Sequence, residues 1–473
     1  MLSIYIPCTT ERKTVTILAK HSESALGSAP ILPLMIKMAV PSVLAQLVNM
    51  LYNVVDRIFI GHIPDVGDLA LTGVGITFPI ALTLTAFAAF AGAGGAPLAS
   101  IKLGEGNKPQ AERIMGNSFL MLIAIAIVAT TVFSVYLEPL LYAFGATENL
   151  IGYSMDYGRI YVLGTIFVLL ALGMNPFISA QGKPLVAMTS VAIGAVLNLG
   201  LDYILIFWFD MGVKGAAIAT VVSQAVSAVW VVGFLMSERS SLRLRTEILK
   251  PSPAILGSIA ALGIAPFVME STEGLVTIVL NNGLRTYGNE LYLGSLTIMQ
   301  SVMQVMSTVT QGVTKGVQPI LGFNYGAKNY VRVRKTFNIL LAICVSATLI
   351  SCPLISIFPG PVARIFTPDE ELIALISKLM PIFFGGFWIF GAQWTCQCTF
   401  MAMGQAKTGL FLAMLRKIVL LIPLAIILPR VMNNVLGIFI AEAVADALAS
   451  CTTLTLFFIR RKTLLPLPAQ QRQ

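Results

Sequence analysis

The chain has 473 residues, of which 56% are hydrophobic and only 11% charged, with a mean hydropathy of +0.84. Soluble domains carry roughly 25% charged residues, so a water-soluble globule is excluded and an all-α integral membrane protein is expected. The net charge of +9 does not point to nucleic acid, because excess Lys and Arg in a membrane protein mark its cytoplasmic loops. With two His, no HExxH and no GxxxxGK[ST] loop, no metalloprotease or nucleotide-hydrolysing signature is found. The chain therefore reads as a non-enzyme without a cofactor, driven by an ion gradient or a partner. Six Cys are scattered, and the Cys396–Cys398 pair lacks the further Cys or His that a resident metal would need.

In chain order, residues 1–30 are mixed in charge, lack the basic leader of a secretory signal, and read as a disordered or lightly ordered cytoplasmic tail or a start-site extension. Apolar stretches of spanning length follow near 35–61, 70–101, 113–137, 152–179, 184–208 and 212–237. The basic segment 238–253 is the natural linker. A second set lies near 254–283, 294–324, 336–358, 373–400, 407–430 and 435–459, before a C-terminal tail at 461–473. The expected organisation is thus a six-helix bundle over 31–237 and another over 254–460.

The two sets are copies. Gly104-Glu105-Gly106-Asn107-Lys108 recurs as Gly326-Ala327-Lys328-Asn329-Tyr330, and 326 − 104 is 222. The same offset maps Gln181-Gly182-Lys183-Pro184 onto Met403-Gly404-Gln405-Ala406, and Gly215 onto Gly437. Two similar membrane halves suit a transporter, whose halves rock about one central site. An even number of spans per half makes the repeat parallel.

Orientation follows from the loops. Lys102, Lys108, Arg113, Lys183, Arg239, Arg243, Arg245, Lys250, Lys328, Arg332, Arg334, Lys335, Lys407, Arg416, Lys417, Arg460 and Arg461 fall on one side. The other side carries few bases and the run Asp369-Glu370-Glu371. The basic side is expected to be cytoplasmic, with both termini there.

An ionised carboxylate inside a bilayer costs about 2.5–3.5 kcal/mol on insertion scales, so each intramembrane acid needs a reason. Asp56 lies in the first span, four residues after Tyr52, with Arg57 beside it as an alternative neutralising partner. Asp202 and Asn198 share one face of the fifth span. Such a set can hold Na+ through oxygen ligands, or a proton. Through the repeat these positions become Ile278, Leu424 and Leu420, so ion binding is expected in the first half alone.

The second half has its own acids. Glu270 and Glu273 lie one turn apart, as do Glu442 and Asp446, and Glu442 falls on the repeat position of Thr220. Lys315 in the eighth span reads as the one clear intramembrane cation, either neutralising Glu442 or Asp446 in the outward-closed state or simply lining a wet cleft. These five residues are expected to form a substrate-cavity or second-lobe charge site. Met299, Met303, Met306, Trp388 and Trp394 suit a promiscuous apolar cavity, although ordinary packing explains such residues too.

Several stretches resemble the multidrug and toxic compound extrusion (MATE) family, in its bacterial drug efflux branch. They are Leu26–Ile31 leading to Pro41, Leu51–Gly61, Ala180–Pro184, Gly215–Thr220 and Gln318–Gly326. The resemblance implies twelve transmembrane helices in two parallel repeats forming a V-shaped pair of bundles. It implies export of small amphipathic or cationic compounds from a bacterial inner membrane in exchange for H+ or Na+, by a monomer in contact with lipid. It also implies a first-half cavity lined by Asp56, Tyr157, Asn175, Asn198, Asp202 and Thr220, with Asn49 above Asp56. Some members pair a helix 7 acid with a helix 10 acid. Glu273 fits the first, but the tenth span offers only Gln393 and Gln397. A flippase for lipid-linked oligosaccharides or peptidoglycan precursors is the alternative, though it would need a cationic cavity.

Overall fold

A computed structural model describes residues 25–64 and 66–466. The first half comprises α1 (Ile31–Gly61), α2 (Gly67–Gly104), α3 (Lys108–Ala143), α4 (Ile151–Leu163), α5 (Thr165–Ala180), α6 (Pro184–Asp202) and α7 (Gly212–Met236). The second comprises α8 (Pro253–Tyr287), α9 (Glu290–Gly326), α10 (Tyr330–Ile357), α11 (Pro359–Arg364), α12 (Glu370–Phe383), α13 (Phe390–Ala402), α14 (Ala406–Met414), α15 (Ile422–Met432) and α16 (Leu436–Leu464). Among the described residues ten continuous spans are long and apolar enough to cross a bilayer. The bent pair α4–α5 makes another. Helix α9 has 37 residues, and its apolar character is diluted by Gln300, Gln304, Gln311 and Lys315. Counting these two, the spans number twelve.

The repeat extends to the breaks in the helices. Between α4 and α5 the axis turns by 56° at Gly164. At the matching place in the second half, a 3-10 turn over Phe384–Ile389 separates α12 from α13, and Gly386 is the counterpart of Gly164. Two π-helical turns, wider than an α-helical turn, follow Asp202 (Tyr203–Trp208) and Met414 (Leu415–Leu421).

The halves meet through glycines at one end. A Cβ on Gly263 of α8 would stand 1.9 Å from Phe90 O of α2, and one on Gly326 of α9 2.0 Å from Ile101 O. Gly312 and Gly316 of α9 lie against Val43 and Ala39 of α1. The Phe267 ring meets Phe87 at 5.1 Å and Phe90 at 5.8 Å. These contacts all fall on the halves of α1, α2, α8 and α9 nearest the basic loops. Chain ends also cross over: Leu26 to Ala39 join the core of the second half, and Ile259 joins that of the first.

Two connecting regions are tied to the helices. Residues 1–24 of the expected tail lie outside the described residues, but Leu26 is buried, and its carbonyl accepts from Asn324 Nδ2 at 2.9 Å. The linker is packed against the first half. Gln181 Oε1 accepts from Ser240 Oγ (3.0 Å), Ser241 N (2.7 Å) and Leu242 N (3.1 Å), while Leu242 and Leu244 are buried. Asn117 Oδ1 accepts from Ser252 N at 2.8 Å.

Candidate functional site

The first-half site is assembled from four helices. Tyr52 and Asp56 come from α1, Tyr157 and Tyr161 from α4, Asn198 and Asp202 from α6, and Thr220 from α7, each pair one helical turn apart. The carboxyls of Asp56 and Asp202 face each other within hydrogen-bonding range. The Tyr52 and Tyr157 hydroxyls both reach Thr220. Oriented by its neighbours, the Asn198 amide donates to Asp202 Oδ2 at 2.7 Å and accepts from Thr220 N at 3.3 Å. Asn198 and Asp202 are wholly buried, and Tyr157 and Tyr161 stack with centroids 5.8 Å apart.

One oxygen of each acid, Asp56 Oδ1 and Asp202 Oδ1, is buried without a hydrogen-bond partner. Two facing carboxyls in apolar surroundings repel when both are charged, so the pair favours a shared proton or an intervening cation. Hydroxyl, amide and carboxyl oxygens converge there, which is a donor set suited to a hard monovalent ion. Arg57 does not neutralise the site through a salt bridge. Its guanidinium carbon lies 5.2 Å over the Phe78 ring.

Two of the expected residues stand apart. Asn175 donates from Nδ2 to Ala187 O (2.9 Å) and Ser190 Oγ (2.6 Å), tying α5 to α6. Ser190 lies about 12 Å along α6 from Asn198 at 1.5 Å per residue. Asn49 is exposed, two turns before Asp56, and its carbonyl accepts from Asn53 Nδ2 at 2.7 Å. Tyr161 was not singled out from sequence, although its i+4 spacing from Tyr157 places it on the same face.

The second-half acids are organised differently from expectation. Arg416 and Lys417 do not lie in a basic loop. They occupy the π-helical turn within the eleventh span, where Lys417 is 5% exposed. Arg416 Nε donates to Asp446 Oδ1 at 2.6 Å and Nη2 to Glu442 Oε1 at 3.0 Å, with the guanidinium 4.6 Å over the Phe390 ring. Lys417 Nζ pairs with the Glu273 carboxylate and donates to Met269 O at 2.7 Å. In this structure, closed at the basic end, the partner of Glu442 and Asp446 is Arg416. Lys315 is exposed and forms no ion pair among the described residues, with Glu270 the acid that attracts it.

The sequence carried a signal for this. Through the repeat, Arg416 and Lys417 fall on Gly194 and Ala195 in the middle of α6, far from any loop. The positive-inside rule assigns Lys and Arg to loops by default, and a basic pair that is neutralised inside the protein escapes it.

Twelve spans in two matching halves, closed together at the basic end and holding buried acids, define a multi-pass membrane transporter. The MatE family model matches residues 41–204 and 265–427, once in each half, and the chain belongs to that family. It is 26% identical over 426 residues to the multidrug export protein MepA of Staphylococcus haemolyticus, covering 88% of this chain and 91% of that protein. The MepA of Staphylococcus aureus (strain NCTC 8325) is 22% identical, covering 92% and 95%. Among solved structures, an outward-facing multidrug resistance MATE transporter matches with a TM-score of 0.84 at 20% identity, covering 91% of this chain and 96% of that one. A MOP superfamily transporter from Pyrococcus furiosus matches with a TM-score of 0.86 at 20% identity, covering 93% and 98%.

Proposed function

We propose that the chain is a secondary active multidrug exporter. It takes small amphipathic, often cationic compounds from the cytoplasm of a bacterium and exchanges them for H+ or Na+ by alternating access. The observation that carries this reading is the facing pair Asp56 and Asp202, each with a buried oxygen that lacks a partner. A cation or proton at that pair stabilises one arrangement of α1, α4, α6 and α7 over another, which is how binding shifts a conformational equilibrium. Support for the substrate class comes from the relatives described as multidrug export proteins.

With the basic loops cytoplasmic, the glycine-mediated closure lies on the inner side and the cleft opens outward. The bundles at 31–237 and 254–460 are the moving bodies, joined by 238–253. The protein works as a monomer in the bacterial cell membrane with both termini inside. Arg416 and Lys417 do not supply the cationic cavity of a flippase, because carboxylates neutralise both.

The test is efflux of a fluorescent cationic dye from proteoliposomes under a pH gradient and a Na+ gradient imposed separately. Acceleration by one gradient supports the exchange and identifies its ion. Indifference to both overturns it.

A further inference from the structure

We propose that Glu442 is a proton-carrying residue in the second half, forming a site separate from the Asp56–Asp202 pair. Arg416 brings one positive charge to two carboxylates. The side chains of Arg416, Glu442 and Asp446 are 14%, 5% and 1% exposed, so the triad holds one surplus negative charge almost out of water. Including the neighbouring Lys417–Glu273 pair leaves that surplus unchanged, because the pair is neutral. A buried surplus of this kind is relieved by a proton, which needs no room beyond a hydrogen-bond length.

The geometry singles out Glu442 rather than Asp446. Asp446 Oδ1 lies 2.6 Å from Arg416 Nε, whereas Glu442 Oε1 lies 3.0 Å from Nη2. The shorter charge-assisted bond holds Asp446 as the ionised partner. Glu442 also occupies the repeat position of Thr220, the residue that touches the first-half site. The proton binds Oε2, leaving the Oε1 contact with Nη2, and Arg416 remains paired with Asp446.

The surrounding charges are few. The π-helical turn contributes Arg416 and Lys417, and α8 contributes Glu270, Glu273 and an exposed Arg285. The 3-10 turn and α13 contribute none, with Gln393 Oε1 accepting from Ser450 Oγ at 3.1 Å. Helix α12 brings Glu370, Glu371 and an exposed Lys378, and α15 an exposed Arg430.

The experiment is infrared spectroscopy of the purified full chain carrying Asp56→Asn and Asp202→Asn, titrated with pH in sodium-free buffer. Separate samples carry 13C-carboxyl Glu or 13C-carboxyl Asp. The expected result is a carbonyl stretch of a protonated buried acid that shifts with Glu labelling, not with Asp labelling, and disappears in Glu442→Gln. Absence of that band throughout the pH range in which the protein stays folded overturns the proposal. So does a band that moves with Asp labelling or survives Glu442→Gln. If Glu442→Gln does not fold, Glu442→Asp decides the matter, because it must move the band from the Glu-labelled to the Asp-labelled sample. Because the readout involves neither dye nor gradient, it is independent of the efflux assay.

Discussion

Gly386 lies against Ala443 so closely that a Cβ would stand 1.9 Å from the Ala443 carbonyl oxygen. The same relationship appears 222 residues earlier, where Gly164 lies against Val221, but there the nearest atom is a side-chain methyl at 2.5 Å. Each glycine stands at a helix break, so the duplication kept the kink and the close approach together. Backbone cannot move aside as a methyl can. Gly386→Ala is therefore expected to destabilise by about 1–3 kcal/mol, the usual range for overpacking, and Gly164→Ala by less. Thermal unfolding in detergent, followed by size-exclusion fluorescence, orders the two.

Arg416 is the sole ion-pair partner of Glu442 and Asp446 among the described residues. Arg416→Ala strands two carboxylates and is expected to destabilise by about 3–5 kcal/mol, as breaking a buried pair does. Lys315→Met should leave stability nearly unchanged, because Lys315 holds no ion pair among the described residues. Melting temperatures of the two variants separate these outcomes. Equal losses would favour an ion-pair role for Lys315 over a place lining a wet cleft.

Gln181 holds three donors of the connector with one oxygen. Gln181→Ala leaves Ser241 N and Leu242 N without that acceptor, at a cost of about 1–3 kcal/mol. The connector should then be cut faster by trypsin at Arg239, Arg243 or Arg245, with both halves otherwise intact. Fragment analysis by mass spectrometry locates the cleavage.

The fold was largely legible because a bilayer allows few solutions. Spans, repeat and parallel halves all follow from apolar length and the 222-residue offset. Asp56 and Asp202 stood out because an acid in hydrocarbon must be justified, and Asn198 because it shares a helix face with Asp202. What escaped was compensation at long range. Nothing local says that Arg416 will find Asp446 thirty residues later, or that Lys417 will find Glu273 on α8. Leu26 escaped likewise, because its carbonyl is held by Asn324 and its side chain joins the core of the second half, nearly three hundred residues away.

A direct coupling test compares wild type with Asp56→Asn, Asp202→Asn and the double variant in the same proteoliposomes, measuring dye efflux with and without the ion gradient that drives wild type. The first-half pair predicts that the double variant still binds dye and equilibrates it but no longer responds to the gradient. Each single variant should lose most of the gradient response. Full gradient-driven efflux by the double variant would contradict the assignment of coupling to Asp56 and Asp202.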